Sequence, residues 1–187
     1  MFERFTTSAR EVVRGAVRQA DEAGDATVGE PELLLALLDR ADGGRTNTPA
    51  AHVLTTLGAT ARRASIERAL ADVRRRGGIS NADAEALAGL GIDVDAIVSR
   101  VEEAHGAGAL ATPRRRRRSR ARFEPEAKSV LERSLRIAIG RGDKTIGDEH
   151  LLLALLARPG VAANVLADHD VTYVRAEQAL ATRARSA

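Results

Sequence analysis

Residues 5–38, FTTSAREVVRGAVRQADEAGDATVGEPELLLALL, and residues 123–156, FEPEAKSVLERSLRIAIGRGDKTIGDEHLLLALL, are one segment written twice. The offset stays at 118 throughout and needs no gap. Phe5/Phe123, Ala9/Ala127, Gly24/Gly142, Thr27/Thr145, Gly29/Gly147 and the LLLALL run all coincide. A duplicated helical unit commonly hides one apolar face against its copy, so the two segments are expected to share a core and to form a groove where they meet.

Within the first copy, Val12, Val13, Ala16, Val17 and Ala20 recur at helical spacing, and Gly24 supplies a stop. Ser8 and Glu11 have the spacing of a capping box. Gly29-Glu30-Pro31 opens a second helix, because proline is tolerated in a first turn, and the LLLALL run is its buried face. Thr48-Pro49 starts a third helix ending near Gly58, and a fourth runs from about Thr60 to Arg75. The second copy repeats the plan with helices from Pro125 to about Arg141, Asp148 to Ala157, Val161 to Asp168 and Thr172 to about Arg185. The fold class expected is all-α, with two pseudo-symmetric four-helix repeats, about eight helices, and an extra helical insert. The first repeat occupies 1–76 and the second 123–187. Between them lie the insert, 77–105, and a flexible Arg-rich linker, 106–122. In the insert, Ile92, Val94, Ile97, Val98 and Val101 pattern an amphipathic helix that packs against the body, preceded by a short helix around Asp83 to Ala88.

Composition narrows the function classes. The 187 residues are 44% apolar, which suits a globular chain, but only 2% aromatic, which leaves little for base stacking or a large aromatic pocket. Cysteine is absent, which removes disulfides and thiolate metal sites. The N-terminus has no apolar leader-like run, and no stretch approaches a membrane span, so a cytoplasmic protein is the expectation. The net charge of +3 conceals a local feature: seven arginines fall within residues 114–122, and without them the balance is −4.

The pattern M-F-E-R-F-T…A-R-x-V-V…G-E-x-x-L-L-x-A-L-L, then F-x-P-x-A-K-x-V-L-E-x-S-L…I-G-D-E-H-L-L-L-A-L-L, resembles the N-terminal repeat domain of the Clp chaperone ATPases, nearest to the ClpC subclass. The insert's LGIDVDAIVSRVEEAHG is similar to a segment of stand-alone actinobacterial members without ATPase modules. The resemblance implies a pseudo-twofold, eight-helix module that is not an enzyme, needs no cofactor, and binds adaptors and unfolding or marked substrates. It implies an adaptor, decoy or regulator within the Clp chaperone–protease system. Full-length members continue into nucleotide-binding modules; this sequence is expected to carry no motor.

The same resemblance places Phe2, Phe123 and Lys128 in the groove between repeats, where cyclic-peptide antibiotics and protein partners dock. The alternative is that the phenylalanines are core anchors, since each motif begins where a ring could staple a helix entry. It also implies a phosphoarginine site at the start of the second repeat's Leu-rich helix, with Glu149 and Asp148 as the candidate carboxylates. In the first repeat Pro31 stands where Glu149 does, so the site is expected on one side only.

Other chemistries find little support. The loop Gly140-Arg141-Gly142-Asp143-Lys144-Thr145 lacks two glycines of a phosphate loop and carries Asp143 where it would repel phosphate, so it reads as a helix C-cap turn. His52, His105, His150 and His169 show no metal-ligand spacing, and Asp148-Glu149-His150 has no nucleophile motif beside it. The arginine run reads as a solvated linker. The alternative is a sequence-blind nucleic-acid tether, although no aromatic residue interleaves it.

Overall fold

A computed structural model describes residues 3–25, 27–42, 47–111 and 122–186 of the chain. Its helices are α1 (Thr7–Ala23), α2 (Glu30–Asp42), α3 (Pro49–Thr56), α4 (Arg63–Arg75), α5 (Asn81–Gly89), α6 (Val94–His105), α7 (Pro125–Arg141), α8 (Asp148–Leu156), α9 (Val161–Asp168) and α10 (Tyr173–Ser186). Two short strands, β1 (Thr27–Val28) and β2 (Arg122–Phe123), complete the elements. The all-α expectation holds, with α1–α4 and α7–α10 as the repeats. Among the described residues no single helix is long and apolar enough to cross a membrane.

The duplicated sequence folds twice in the same way. α1 stops at Gly24, whose φ of 73° is left-handed, while Asp25 N–H closes back on Ala20 O at 2.8 Å. α7 stops at Gly142 with φ 78°, and Asp143 N–H bonds Ala138 O at 2.9 Å. Glycine suits both places because a Cβ disfavours that backbone region. The loop read as a C-cap turn is therefore one. At the start of α1 the cap is Thr6, whose hydroxyl accepts from Ala9 N–H at 3.2 Å. Ser8 and Glu11 do not form the capping box expected of them: the helix begins before Ser8, and Glu11 instead pairs with Arg40 of α2.

Both LLLALL runs lie in the core, each with only its Leu35 or Leu156 partly exposed. One continuous apolar cluster takes residues from both repeats, from Phe5 and Val12 through Leu151 and Leu166 to Leu180. The fourth helices explain this continuity: α4 packs on α9, and α10 packs on α3, so each repeat closes its core with a helix from the other. Arg183 of α10 reinforces the second contact by donating to Asn47 O at 2.6 Å and Thr48 O at 3.1 Å.

The insert forms the two expected helices and docks at the α4 and α9 ends. Val94 and Val98 are buried, Arg75 and Arg76 pair with Glu102 and Asp95, and Asn81 donates to Asp168 at 3.2 Å. The expected apolar face is only partly covered, since Ile97 remains 48% and Ile92 41% exposed. Arg122, read as the end of a flexible linker, is in β2, because strand pairing fixes its backbone.

Candidate functional site

The joint between repeats is built by a reciprocal exchange of backbone. β2, at the start of the second repeat, pairs in parallel with β1 from the first, in the register Thr27↔Arg122 and Val28↔Phe123. The counterpart 118 residues away is the bridge between Phe5 and Ile146. Glu124 N–H donates to Val28 O at 2.9 Å, as Thr6 N–H does to Ile146 O at 2.9 Å. On one side Thr27 Oγ1 also donates to Glu124 Oε1 at 2.7 Å. Four residues are too few to be stable as an isolated sheet, so the surrounding helices must hold these pairs in place.

The two rings at the joint are not equivalent. Phe5 is buried in the shared core, whereas Phe123 is half-buried and packs against its edge. Lys128 lies one turn into α7 and is exposed. Phe2, the other groove residue expected from the resemblance, lies outside the described residues. Phe5 is thus a core anchor, while Phe123 keeps part of its ring at the surface of the joint.

Each Leu-rich helix begins beside the joint, and each uses its third residue to satisfy the residue before it. Glu32 Oε2 accepts from Gly29 N–H at 2.7 Å, and His150 Nδ1 accepts from Gly147 N–H at 2.9 Å. The positions correspond at the 118-residue offset, so a carboxylate and an imidazole do the same work. The imidazole's acceptor role fixes its tautomer: Nδ1 is unprotonated, and Nε2–H donates to Asp143 Oδ2 at 2.9 Å. Burial holds the His150 pKa below the ordinary imidazole value despite the opposing pull of Asp143. Burial also raises Glu32, against the stabilising Gly29 N–H.

The second repeat's candidate carboxylates differ in access. Asp148 is buried, and its Oδ1 accepts from Ser8 Oγ at 3.5 Å, facing into the joint. Its counterpart Glu30 also crosses the joint, accepting from Ala162 N–H at the start of α9 at 3.3 Å, with its pKa raised by burial. Glu149 folds back over Gly147 and keeps 20% of its side chain exposed. Burial, together with the nearby Asp148 and Asp143 charges, pushes Glu149 up to about 7. This carboxylate at the α8 N-terminus is thus partly buried, with its edge reaching solvent. Among the described residues no group of carboxylate or imidazole side chains is placed to hold a metal ion.

Sequence reasoning singled out Phe123, Lys128, Asp148 and Glu149, and it gave Glu30 and Glu32 no structural part at the joint. The N3 position of a helix was the available signal for Glu32. Nothing local in the sequence points Glu30 toward a helix 132 positions away. The arginines from 114 to 121 lie outside the described residues, so the geometry speaks only to Arg122.

Known proteins share this architecture. The family described as Clp repeat (R) N-terminal domain matches residues 77–169 and 122–184. The chain is 33% identical over 180 residues to an ATP-dependent Clp protease ATP-binding subunit ClpA homolog of Guillardia theta, covering 95% of this chain and 17% of the relative. It is 34% identical over 167 residues to the chloroplastic chaperone protein ClpC1 of Oryza sativa subsp. japonica, covering 89% of this chain and 14% of the relative. The chain thus spans less than a fifth of the length of these relatives. In structure it is similar to the N-terminal domain of ClpD from Arabidopsis thaliana, with TM-score 0.56, 18% identity and coverage of 99% and 97%. The Hsp104 N-terminal domain from Candida albicans is also similar, with TM-score 0.57, 17% identity and coverage of 95% and 89%.

Proposed function

Because the chain belongs to the Clp repeat N-terminal domain family, we propose that it is a non-enzymatic binding module of a cytoplasmic Clp chaperone–protease system. It acts as an adaptor, decoy or regulator that takes up unfolding or marked proteins. The observation that carries this reading is the strand exchange at the joint, which holds Phe123 half-buried, with Lys128 exposed in the first turn of the helix that follows. An aromatic ring with a cation nearby is a suitable anchor for an apolar, partly anionic peptide. Cyclic peptides that occupy ClpC N-domains are ligands for the same groove. The test is capture of clients from host lysate with the ATPase's own N-domain as competitor: competitor should displace them, and captured proteins indifferent to it would reject the reading.

A second site of the same module is at Glu149. Its partly exposed carboxylate, beside the N–H groups at the start of α8, suits a phosphoarginine guanidinium with its phosphate turned to the helix. Pro31 stands at the matching place in the first repeat, so one site is expected. Titration with free phosphoarginine should give a single site lost in Glu149→Gln; two equal sites would contradict it.

A further inference from the structure

The first repeat carries a row of arginines that neither the joint nor the core uses. Arg10, Arg14 and Arg18 stand at successive four-residue steps on α1, all exposed, and among the described residues no carboxylate pairs with them. Like charges at this spacing destabilise a helix, and Arg10 lies near the positive end of the α1 dipole, so the row works against helix stability.

Beside the row a cleft of about 220 Å³ opens between α1 and α2. Its floor is Gly15 against Ala36, so close that a Cβ on Gly15 would stand 3.0 Å from that of Ala36. Arg14 and Arg18 form one wall, and Asp39 and Arg40 the other. The acidic groups around it are already engaged: Glu11 with Arg40, and Asp39 with Arg63 and Gln19. In the second repeat the place of Gly15 is taken by Arg133, whose guanidinium donates to Ala154 O at 2.6 Å and Ser129 Oγ at 3.1 Å. The cleft is filled from within in one repeat and open in the other.

We propose that the α1 arginine row and its cleft form a docking surface for an extended acidic peptide segment. Four helical residues advance about 6 Å, and alternate residues of an extended strand advance about 6.7 Å, so every second carboxylate of such a peptide meets the next arginine. The cleft over Gly15 admits one of those side chains between Arg14 and Arg18. No aromatic side chain lines the cleft as a stacking platform, which favours peptide over single-stranded nucleic acid. The contacts are exposed ion pairs, so the binding is additive and sensitive to salt.

The probe is a synthetic peptide of alternating aspartate and serine, about eight residues long, titrated into the whole chain and followed by fluorescence anisotropy. Wild type should bind at low salt and weaken as salt rises. The double variant Arg14→Gln/Arg18→Gln, checked for unchanged thermal unfolding, should lose about tenfold in affinity, while Arg136→Gln, the counterpart of Arg18 in the second repeat, should bind as wild type does. Equal affinity in the double variant, or an equal loss in Arg136→Gln, would overturn the assignment. A single-stranded oligonucleotide bound as tightly through the same two arginines would overturn it as well.

Discussion

Phe5 and Ile146 are paired across the joint as a parallel bridge, closed by Thr6 N–H on Ile146 O at 2.9 Å and Ile146 N–H on Arg4 O at 2.8 Å. The same pairing recurs between Phe123 and Val28. Each repeat thus lends the segment before its first helix to the loop before the other's Leu-rich helix.

Phe5 is 5% exposed, so Phe5→Ala should destabilise the chain by about 3–4 kcal/mol, the usual cost of removing a buried ring. Urea unfolding checks this. A loss below about 1 kcal/mol would mean the bridge is peripheral.

A fragment of residues 1–105 should unfold without a sharp transition, since α3 loses α10, and α4 loses α9. Differential scanning calorimetry of the fragment decides the matter. A transition as cooperative as the parent's would show that the first repeat folds alone.

Much of this was legible in the sequence because helical periodicity and duplication are both local patterns. The LLLALL runs, the Gly24 and Gly142 stops and the bounds of α9 fall where spacing put them. What stayed hidden is non-local. Nothing in residues 63–75 says that α4 covers α9, and nothing in FEPEA says that Phe123 enters a strand before α7. The cap of α1 falls at Thr6, two residues before Ser8, and Glu11 pairs with Arg40 of α2 rather than folding back on the cap. At the site, the sequence supplied Glu149 as a carboxylate. Its ionisation near neutrality comes from burial, which spacing does not report.

Glu32→Ala should cost about 1–3 kcal/mol, because the Gly29 N–H would be left buried without an acceptor. Glu32→Gln, which keeps an oxygen there, should recover most of that loss. Equal destabilisation by the two variants would argue against the capping role.

Glu149 makes stability depend on pH with a definite sign. Its folded pKa of about 7 lies above the ordinary 4.5, so between those values the folded state holds more protons and stability falls as pH rises. Glu149→Gln should therefore match wild type near pH 4 and exceed it by about 1–2 kcal/mol near pH 8, with allowance for screening at its exposed edge. His150 contributes the opposite slope: its folded pKa is depressed, so its stabilisation is lost as pH falls below about 6.5. Denaturation curves of the Glu149 variant that run parallel to wild type across this range would contradict the assignment.

The central claim is that partners dock at the joint beside Phe123, and calorimetric titration with a cyclic peptide that occupies ClpC N-domains tests it most directly. Phe123→Ala, in protein shown to be folded, should weaken binding by about 1–3 kcal/mol, the scale of one interface anchor, and Lys128→Ala should weaken it less. Unchanged affinity in both variants would place the binding surface elsewhere on the chain.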